Sequence, residues 1–177
     1  YNGFASGYGL NGDRYFYGNP LASDGGYHRS PFFGCACCPS NVIRVLPSIP
    51  GYVYATAEST PGKGDDVIVV NVFAEGKGTV ELADKFVDIE QTTNYPYDGK
   101  VNFKWTVRMK KDGAAETPFA LKVRVPEWSG AKADKNGYLT LAAKDSAASV
   151  EFDMPVVRMI ANPNVEADRG RVALQRG

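Results

Sequence analysis

Several features that often reveal what a protein binds are missing from this sequence. No apolar run approaches the ~18 residues that a membrane-spanning helix needs. Twenty Lys and Arg residues balance twenty Asp and Glu residues, so the chain lacks the basic excess with which nucleic-acid binders and membrane-surface proteins attract phosphates. We therefore expect neither nucleic acid nor a membrane among its partners.

Cysteine is also scarce, but the three cysteines are crowded together. Cys35, Cys37 and Cys38 are the only cysteines in 177 residues, and neighbouring cysteines suit disulfide geometry poorly. A chain of this length can bury a core without disulfides. Soft-metal binding or nucleophilic chemistry suits such a cluster better.

The composition changes near residue 51. Residues 1–24 are rich in Gly, Tyr and Asn, and Pro39 predicts the start of a short helix that Pro47 and Pro50 end or kink. From residue 52 onward the apolar residues follow a period of two, and we divide the chain into 1–51 and 52–177. Both ends of the chain fall within organised sequence, so we expect it to be part of a longer polypeptide.

Alternation of apolar and polar residues predicts many strands in the second part. Phe103, Trp105 and Val107 alternate with polar residues, and the same pattern recurs over 119–125 and 149–154. Further strands are predicted at 52–58, 67–73, 78–82, 85–91, 138–142, 156–161 and 171–175. Turn-forming pairs such as Asp98-Gly99 separate them. Many short strands without a long helix predict an antiparallel sandwich or barrel.

The segment Phe-Gly-Cys-Ala-Cys-Cys-Pro-Ser-Asn, residues 33–41, carries the strongest local pattern. It places Cys38 at the expected N-cap of the short helix, and a helix N-terminus stabilises thiolates through its unpaired N–H groups. Two adjacent thiolates do not complete a tetrahedral zinc site, which normally needs four ligands. The alternative is that the cysteines are buried and behave as small hydrophobic residues.

This segment and several other motifs resemble the β-L-arabinofuranosidases, glycoside hydrolase family 127, formerly catalogued as a domain of unknown function. The other matching segments follow in order along the chain: 11–21, His28-Arg29, 51–54, 93–99, 123–128, 154–156 and 170–177. The resemblance implies that residues 1–51 are the C-terminal end of an (α/α)₆ catalytic barrel. Residues 52–177 would then be the antiparallel β-sandwich that follows, so the implied fold is mainly β.

The resemblance also implies a mechanism. Cys37 matches the nucleophile, which is itself bound to Zn²⁺, and Cys38 matches a neighbouring zinc ligand. The family's enzymes form a thioglycosyl intermediate that water hydrolyses with retention of configuration. The implied substrates are terminal β-L-arabinofuranosides of arabinose-containing glycans or related plant-wall sugars.

Part of that machinery is missing from the sequence. The family takes its other zinc ligands from a Glu-x-Cys motif upstream, and an upstream glutamate is the proposed acid/base. Because neither is present, we expect these residues alone to hold Zn²⁺ weakly and to be inactive. Ser40, where the family commonly has proline, and Pro47 within the helix also depart from the pattern.

A few further residues have two interpretations each. His28 either lines the sugar site or is a surface-loop histidine. Tyr17 either contacts a sugar or packs into the domain junction. Trp105 and Trp128 are predicted in the core, and Asp65-Asp66 in a solvated turn rather than a calcium site.

Other functions for the chain remain open at this point. One alternative is that the β-sandwich is a non-catalytic module that braces the barrel or binds glycan, and a stand-alone thiolate metal-binding protein is a third hypothesis. The aromatic residues of 1–35 would pack against absent helices, which predicts homodimerisation through that segment.

Overall fold

The structure of the protein is a computed structural model that describes residues 7–16, 18, 20, 24–30, 37–141 and 146–177. The chain divides into two compact units, Tyr1–Gly51 and Tyr52–Gly177. No helix among the described residues is long and apolar enough to cross a membrane.

The first unit contains a short hairpin-like turn and a helix. An antiparallel bridge joins Tyr8 to Tyr15, with their rings edge to face. Helix α1 spans Cys37–Ser48 and is followed by the single turn α2, Pro50–Val53. Several apolar side chains of α1 are exposed, and Val42 is its one buried hydrophobic residue in the described part of the chain.

The predicted helix is confirmed near Pro39, but its ends differ from expectation. It begins at Cys37 and continues through Pro47 to Ser48. The Ser48 hydroxyl donates to the Arg44 carbonyl one turn earlier, at 3.0 Å. Because α2 occupies Pro50–Val53, the strand predicted at 52–58 starts only at Tyr54.

Ten strands lie in the second unit among the described residues. They are β1 Tyr54–Ala57, β2 Val67–Val70, β3 Gly76–Glu81, β4 Lys85–Thr93, β5 Lys100–Met109, β6 Ala120–Arg124, β7 Tyr138–Leu141, β8 Ala147–Glu151, β9 Val156–Met159 and β10 Ala173–Arg176. Sheet I has the order β1-β2-β6-β7, and sheet II has the order β3-β4-β5-β8. Strands β9 and β10 form a separate two-stranded sheet. The predicted fold class, mainly β with an antiparallel sandwich, is confirmed.

One pairing departs from the antiparallel pattern. Strands β2 and β6 are parallel, with Val67 opposite Ala120 and Val70 opposite Val123. The chain between them builds β3, β4 and β5 of sheet II before it returns to sheet I. Parallel neighbours need such a crossover connection. Here the crossover passes through sheet II, so the chain enters both sheets before sheet I is complete.

The core fills the space between the two sheets. Sheet I contributes Ile68 and Leu121, while sheet II contributes Ile89, Phe103 and Trp105 to the same buried cluster. Strands β4, β5 and β6 alternate buried with more exposed positions, as expected for a sheet with one wet face, whereas β2 is apolar throughout and mostly buried. Trp105 is therefore a core residue, as predicted, and Trp128 packs against the core while half buried.

Two polar residues are buried on the inward face of β4. Lys85 and Gln91 are each 1% exposed. The Lys85 Nζ donates to the Thr117 carbonyl at 2.5 Å and to the Thr117 hydroxyl. The Gln91 Nε2 donates to the Tyr54 hydroxyl at 2.9 Å, and burial raises the Tyr54 pKa while this bond lowers it. These contacts link β4 to a loop and to sheet I.

The acidic pair before β2 is structural. Asp65 and Asp66 are partly exposed in the loop before β2. Asp65 accepts a 2.6 Å bond from the Thr56 hydroxyl, and Asp66 accepts one from the Ser59 backbone N–H at 2.6 Å. The pKa of the Asp66 carboxylate is lowered, chiefly by its hydrogen bond from the Ser59 hydroxyl.

Candidate functional site

The cysteine pair lies in the first turn of α1. Cys37 and Cys38 are the first two residues of the helix, and both side chains are exposed. The interpretation of these cysteines as buried small hydrophobic residues is therefore wrong. Their position in the helix also corrects the placement of Cys38 at the N-cap. The first N–H groups of a helix have no intrahelical partner and carry a partial positive charge, so the pair lies at the positively polarised end of α1.

The two sulfur atoms are held close together without a disulfide. Cys37 Sγ and Cys38 Sγ are 3.7 Å apart, whereas bonded sulfurs are about 2.05 Å apart. Two thiolates that each bind a tetrahedral zinc at about 2.3 Å stand about 3.8 Å from each other. The pair therefore fits two adjacent corners of a zinc coordination tetrahedron.

Two side chains of the same turn fix the backbone of Cys37. The Cys37 carbonyl accepts bonds from the Ser40 hydroxyl at 3.0 Å and from the Asn41 Nδ2 at 2.7 Å. Both donors point back along the first helical turn and hold the Cys37 carbonyl. Sequence reasoning treated Ser40 only as a departure from the family pattern and gave Asn41 no function.

The other predicted site residues are not brought to the pair within the described residues. His28 is exposed in the irregular stretch 24–30, and Tyr17 and Cys35 lie outside the described part of the chain. No group of three or more His, Cys, Asp or Glu side chains able to hold a metal is present in the ranges that the structure describes. Within the described ranges, the candidate site therefore consists of the two adjacent sulfur atoms of Cys37 and Cys38.

Sheet II carries an open groove that sequence reasoning missed. It has a volume of about 760 Å³ and runs across the outer face of the sheet, where Thr79, Asp88, Glu90 and Lys104 line it. Such volumes are typical of small-molecule sites. In the sequence, the groove is indicated only by the polar residues that alternate with apolar ones along each strand. Such residues are found on any sheet that faces solvent.

The charges beside this groove are largely satisfied by one another. Arg108 forms two bonds to the Asp88 carboxylate, at 2.7 and 3.0 Å, and Thr79 donates to the same carboxylate at 2.6 Å. The Arg108 and Thr79 bonds hold the Asp88 pKa at about 2. The ring of Phe86 lies under Arg108 and Lys110. The groove is therefore a solvent-facing surface whose charges pair with one another. This arrangement gives little support to glycan binding by the sandwich.

Comparison with known proteins gives matches along most of the chain. Residues 1–51 match the family model of the GH127 β-L-arabinofuranosidase catalytic domain, and residues 67–155 match that of the GH127 middle domain. A non-reducing end β-L-arabinofuranosidase of Bifidobacterium longum subsp. longum is 32% identical over all of this chain, which covers 29% of that protein.

Solved structures of the family are similar as well. A GH127 β-arabinofuranosidase is 37% identical with a TM-score of 0.81, over 100% of this chain and 31% of its own. A GH127 β-L-arabinofuranosidase from Geobacillus stearothermophilus T6 is 33% identical with a TM-score of 0.72, over 97% of this chain and 29% of its own. The chain thus spans about 30% of the length of these relatives. With the cysteine pair, the sandwich and both family matches in agreement, the chain belongs to the GH127 β-L-arabinofuranosidase family.

Proposed function

We propose that the chain is part of a retaining glycoside hydrolase that removes terminal β-L-arabinofuranosyl residues from arabinose-containing glycans, with Cys37 as the nucleophile. The observation that carries the proposal is the exposed pair of sulfurs 3.7 Å apart at the start of α1, in a chain of this family. The substrate class follows from the names of the relatives, which include a non-reducing end β-L-arabinofuranosidase.

Retention follows from two displacements at the anomeric carbon. In the first, the Cys37 sulfur forms a bond to that carbon while the bond to the leaving oxygen breaks, and an acid must protonate that oxygen. In the second, water attacks the carbon, loses a proton to a base, and the carbon–sulfur bond breaks to return the thiolate. Each step inverts the configuration, so the product keeps that of the substrate.

The residues present fit a zinc ion in part. Cys37 and Cys38 would hold it, because their sulfur separation matches the about 3.8 Å expected between two tetrahedral ligands. Bound Zn²⁺ would supply a positive charge that keeps the two sulfurs deprotonated. The Ser40 and Asn41 bonds to the Cys37 carbonyl orient the first helical turn, and with it the nucleophile.

The described residues do not offer a complete site. A closed zinc site has four ligands, and the ranges that the structure describes contain no group of three or more His, Cys, Asp or Glu side chains able to hold a metal. We propose that the remaining ligands and the proton donor come from the larger part of the enzyme, which corresponds to about 70% of each relative. Loss of a general acid alone costs about 10²–10⁴ in rate, so the 177 residues alone should be inactive.

The test compares the full-length enzyme with its Cys37→Ser and Cys38→Ser variants. Hydrolysis of an aryl β-L-arabinofuranoside is measured together with zinc content by atomic emission. We expect Cys37→Ser to abolish turnover, and both variants to lose zinc. Ser48→Ala is a matched control, because its hydroxyl makes the same kind of bond to a helical carbonyl at the far end of α1.

Intact-mass analysis gives a second readout, since a slow substrate should add one arabinosyl mass to the wild-type enzyme and none to Cys37→Ser. An active Cys37→Ser enzyme, or an adduct that persists in that variant, would show that another residue is the nucleophile. Turnover by the 177-residue chain alone would refute the proposal that the proton donor lies outside it.

A further inference from the structure

A small polar cluster lies between the two sheets, where Gln91 meets Tyr54. Gln91 points inward from β4 of sheet II and is 1% exposed, and Tyr54 reaches it from β1 of sheet I. The Gln91 Nε2 donates to the Tyr54 hydroxyl at 2.9 Å and to the Val72 carbonyl at 3.4 Å. Because an amide nitrogen carries two protons, both of its donor positions are used.

The oxygen of the same amide is in a different situation. The Gln91 Oε1 is buried, and no described residue donates a hydrogen bond to it. Buried polar atoms of folded proteins are nearly always hydrogen-bonded, either to the protein or to ordered water. An unsatisfied one lowers the stability of the fold. This oxygen therefore requires a hydrogen-bond donor.

Turning the amide over does not remove this requirement. The Gln91 Oε1 would then accept from the Tyr54 hydroxyl, but it would also face the Val72 carbonyl at 3.4 Å, and two acceptors repel each other there. The amide nitrogen would occupy the buried position without an acceptor. In either orientation, one atom of the amide needs a partner that can donate or accept a hydrogen bond.

Two glycines of β3 shape the space beside the amide. Gly76 lies opposite Gln91 in the strand register, and a Cβ added to Gly76 would meet nothing within 4 Å. At Gly78 an added Cβ would lie 3.1 Å from the Tyr54 Cε2, so the tyrosine ring rests against this strand. The absence of side chains at both positions leaves room of the kind that a buried water molecule needs.

We propose that the Gln91 Oε1 and the Tyr54 hydroxyl bind one water molecule as a permanent part of the sandwich. The water donates a hydrogen bond to Oε1. It accepts one from the Tyr54 hydroxyl, which can donate its own proton while its oxygen accepts from Nε2. Buried waters typically make about two to four hydrogen bonds to groups without protein partners. The water links β1 of sheet I to β4 of sheet II, and the proposal is independent of the catalytic function proposed above.

A crystal structure of the full-length enzyme, at a resolution that shows ordered water, tests the proposal. We expect a water oxygen about 2.7–3.2 Å from both the Gln91 amide and the Tyr54 hydroxyl oxygen. Direct contact between the Gln91 Oε1 and a donor group of another residue would overturn the proposal, wherever in the polypeptide that residue lies. A lack of electron density for water at this position would overturn it as well.

Two variants of the full-length enzyme show whether the amide holds the water. Gln91→Met keeps the length of the side chain but removes both amide atoms, so the water should disappear from the crystal structure. Tyr138→Phe is the matched control, because it removes a hydroxyl from another part-buried bond, to the Asn71 Oδ1 at 2.7 Å, and leaves Gln91 and Tyr54 unchanged. It should keep the water. A water that persists in Gln91→Met, or is lost in Tyr138→Phe, would refute its assignment to this site.

Discussion

Replacing Lys85 by methionine removes a buried charge and tests what that charge contributes. Methionine keeps the length and the aliphatic volume of the lysine side chain but lacks the terminal amine. In the wild type, the Nζ donates to the Thr117 carbonyl at 2.5 Å and lies 3.4 Å from the Asp84 carboxylate. The Thr117 hydroxyl in turn donates to Asp84 and lowers its pKa.

The expected change in stability is small because two larger contributions oppose each other. Hydrogen bonds to a charged group contribute about 1.5–3 kcal/mol each, whereas burying an ammonium costs several kcal/mol. The partners left behind are not buried, since Asp84 is 42% exposed and Thr117 is exposed, so water replaces the amine. We expect Lys85→Met to change the free energy of unfolding by no more than about 1 kcal/mol.

Lys85→Ala is the comparison that separates packing from charge. It removes the buried methylenes as well as the amine and leaves a cavity, which costs about 2–4 kcal/mol. Urea unfolding followed by tryptophan fluorescence measures both variants against the wild type. If Lys85→Met is as destabilising as Lys85→Ala, the amine bonds outweigh their desolvation cost and the reasoning is wrong.

Two further predictions concern sheet II. The Asp88 pKa of about 2 lies below the value near 3.9 of an unfolded chain, so its stabilising contribution is complete above pH ~4 and disappears as the pH falls through ~2. Asp88→Asn should therefore lower the free energy of unfolding at pH 6 and make that free energy fall less steeply between pH 4 and pH 2. Urea unfolding at each pH measures both effects. If the free energy of unfolding fell equally steeply in the variant, the pairing of Asp88 with Arg108 would be contradicted. A Cβ at Gly99 would fall on the Phe152 carbonyl oxygen and within 3.1 Å of its backbone nitrogen, so Gly99→Ala should destabilise the protein by about 1–3 kcal/mol. Thermal unfolding measures this loss, and a wild-type melting temperature would show that the β5–β8 edge adapts freely.

The strands could be predicted because their faces differ in polarity. Phe103, Trp105 and Val107 alternate with polar residues, and β5 spans Lys100–Met109 with the first two of them buried. The pattern shows which side of a strand is buried but not which strand lies beside it. The parallel pairing of β2 with β6 therefore had no counterpart in the sequence.

The burial of two polar residues could not be predicted from the sequence for a related reason. Lys85 and Gln91 occupy the inward face of β4 together with Val87 and Ile89, while Phe86 stands on the outer face. Their burial depends on Thr117 and Tyr54, which are distant in sequence. Local composition cannot reveal partners of that kind.

The candidate site could be predicted only where its residues are neighbours in the sequence. The crowding of Cys37 and Cys38 marks them in the sequence, and the helix places their sulfurs together. Ser40 and Asn41 escaped notice because their contribution is a bond to a backbone carbonyl, which requires the helical turn to be known. Whether His28 and Tyr17 contact a sugar stays a prediction.

The crossover between β2 and β6 sets an order in which the sandwich must form. The hairpins β3–β4 and β4–β5 join neighbouring segments and can close early, whereas β2 must wait for residues 120–123 to leave the ribosome. Contacts between distant residues form slowly, and during that interval Val67–Val70, an entirely apolar strand, has one edge unpaired. An unpaired apolar edge is a template for wrong pairing. The arrival of β6 beside β2 thus decides how long the apolar edge of a newly made chain is exposed to aggregation.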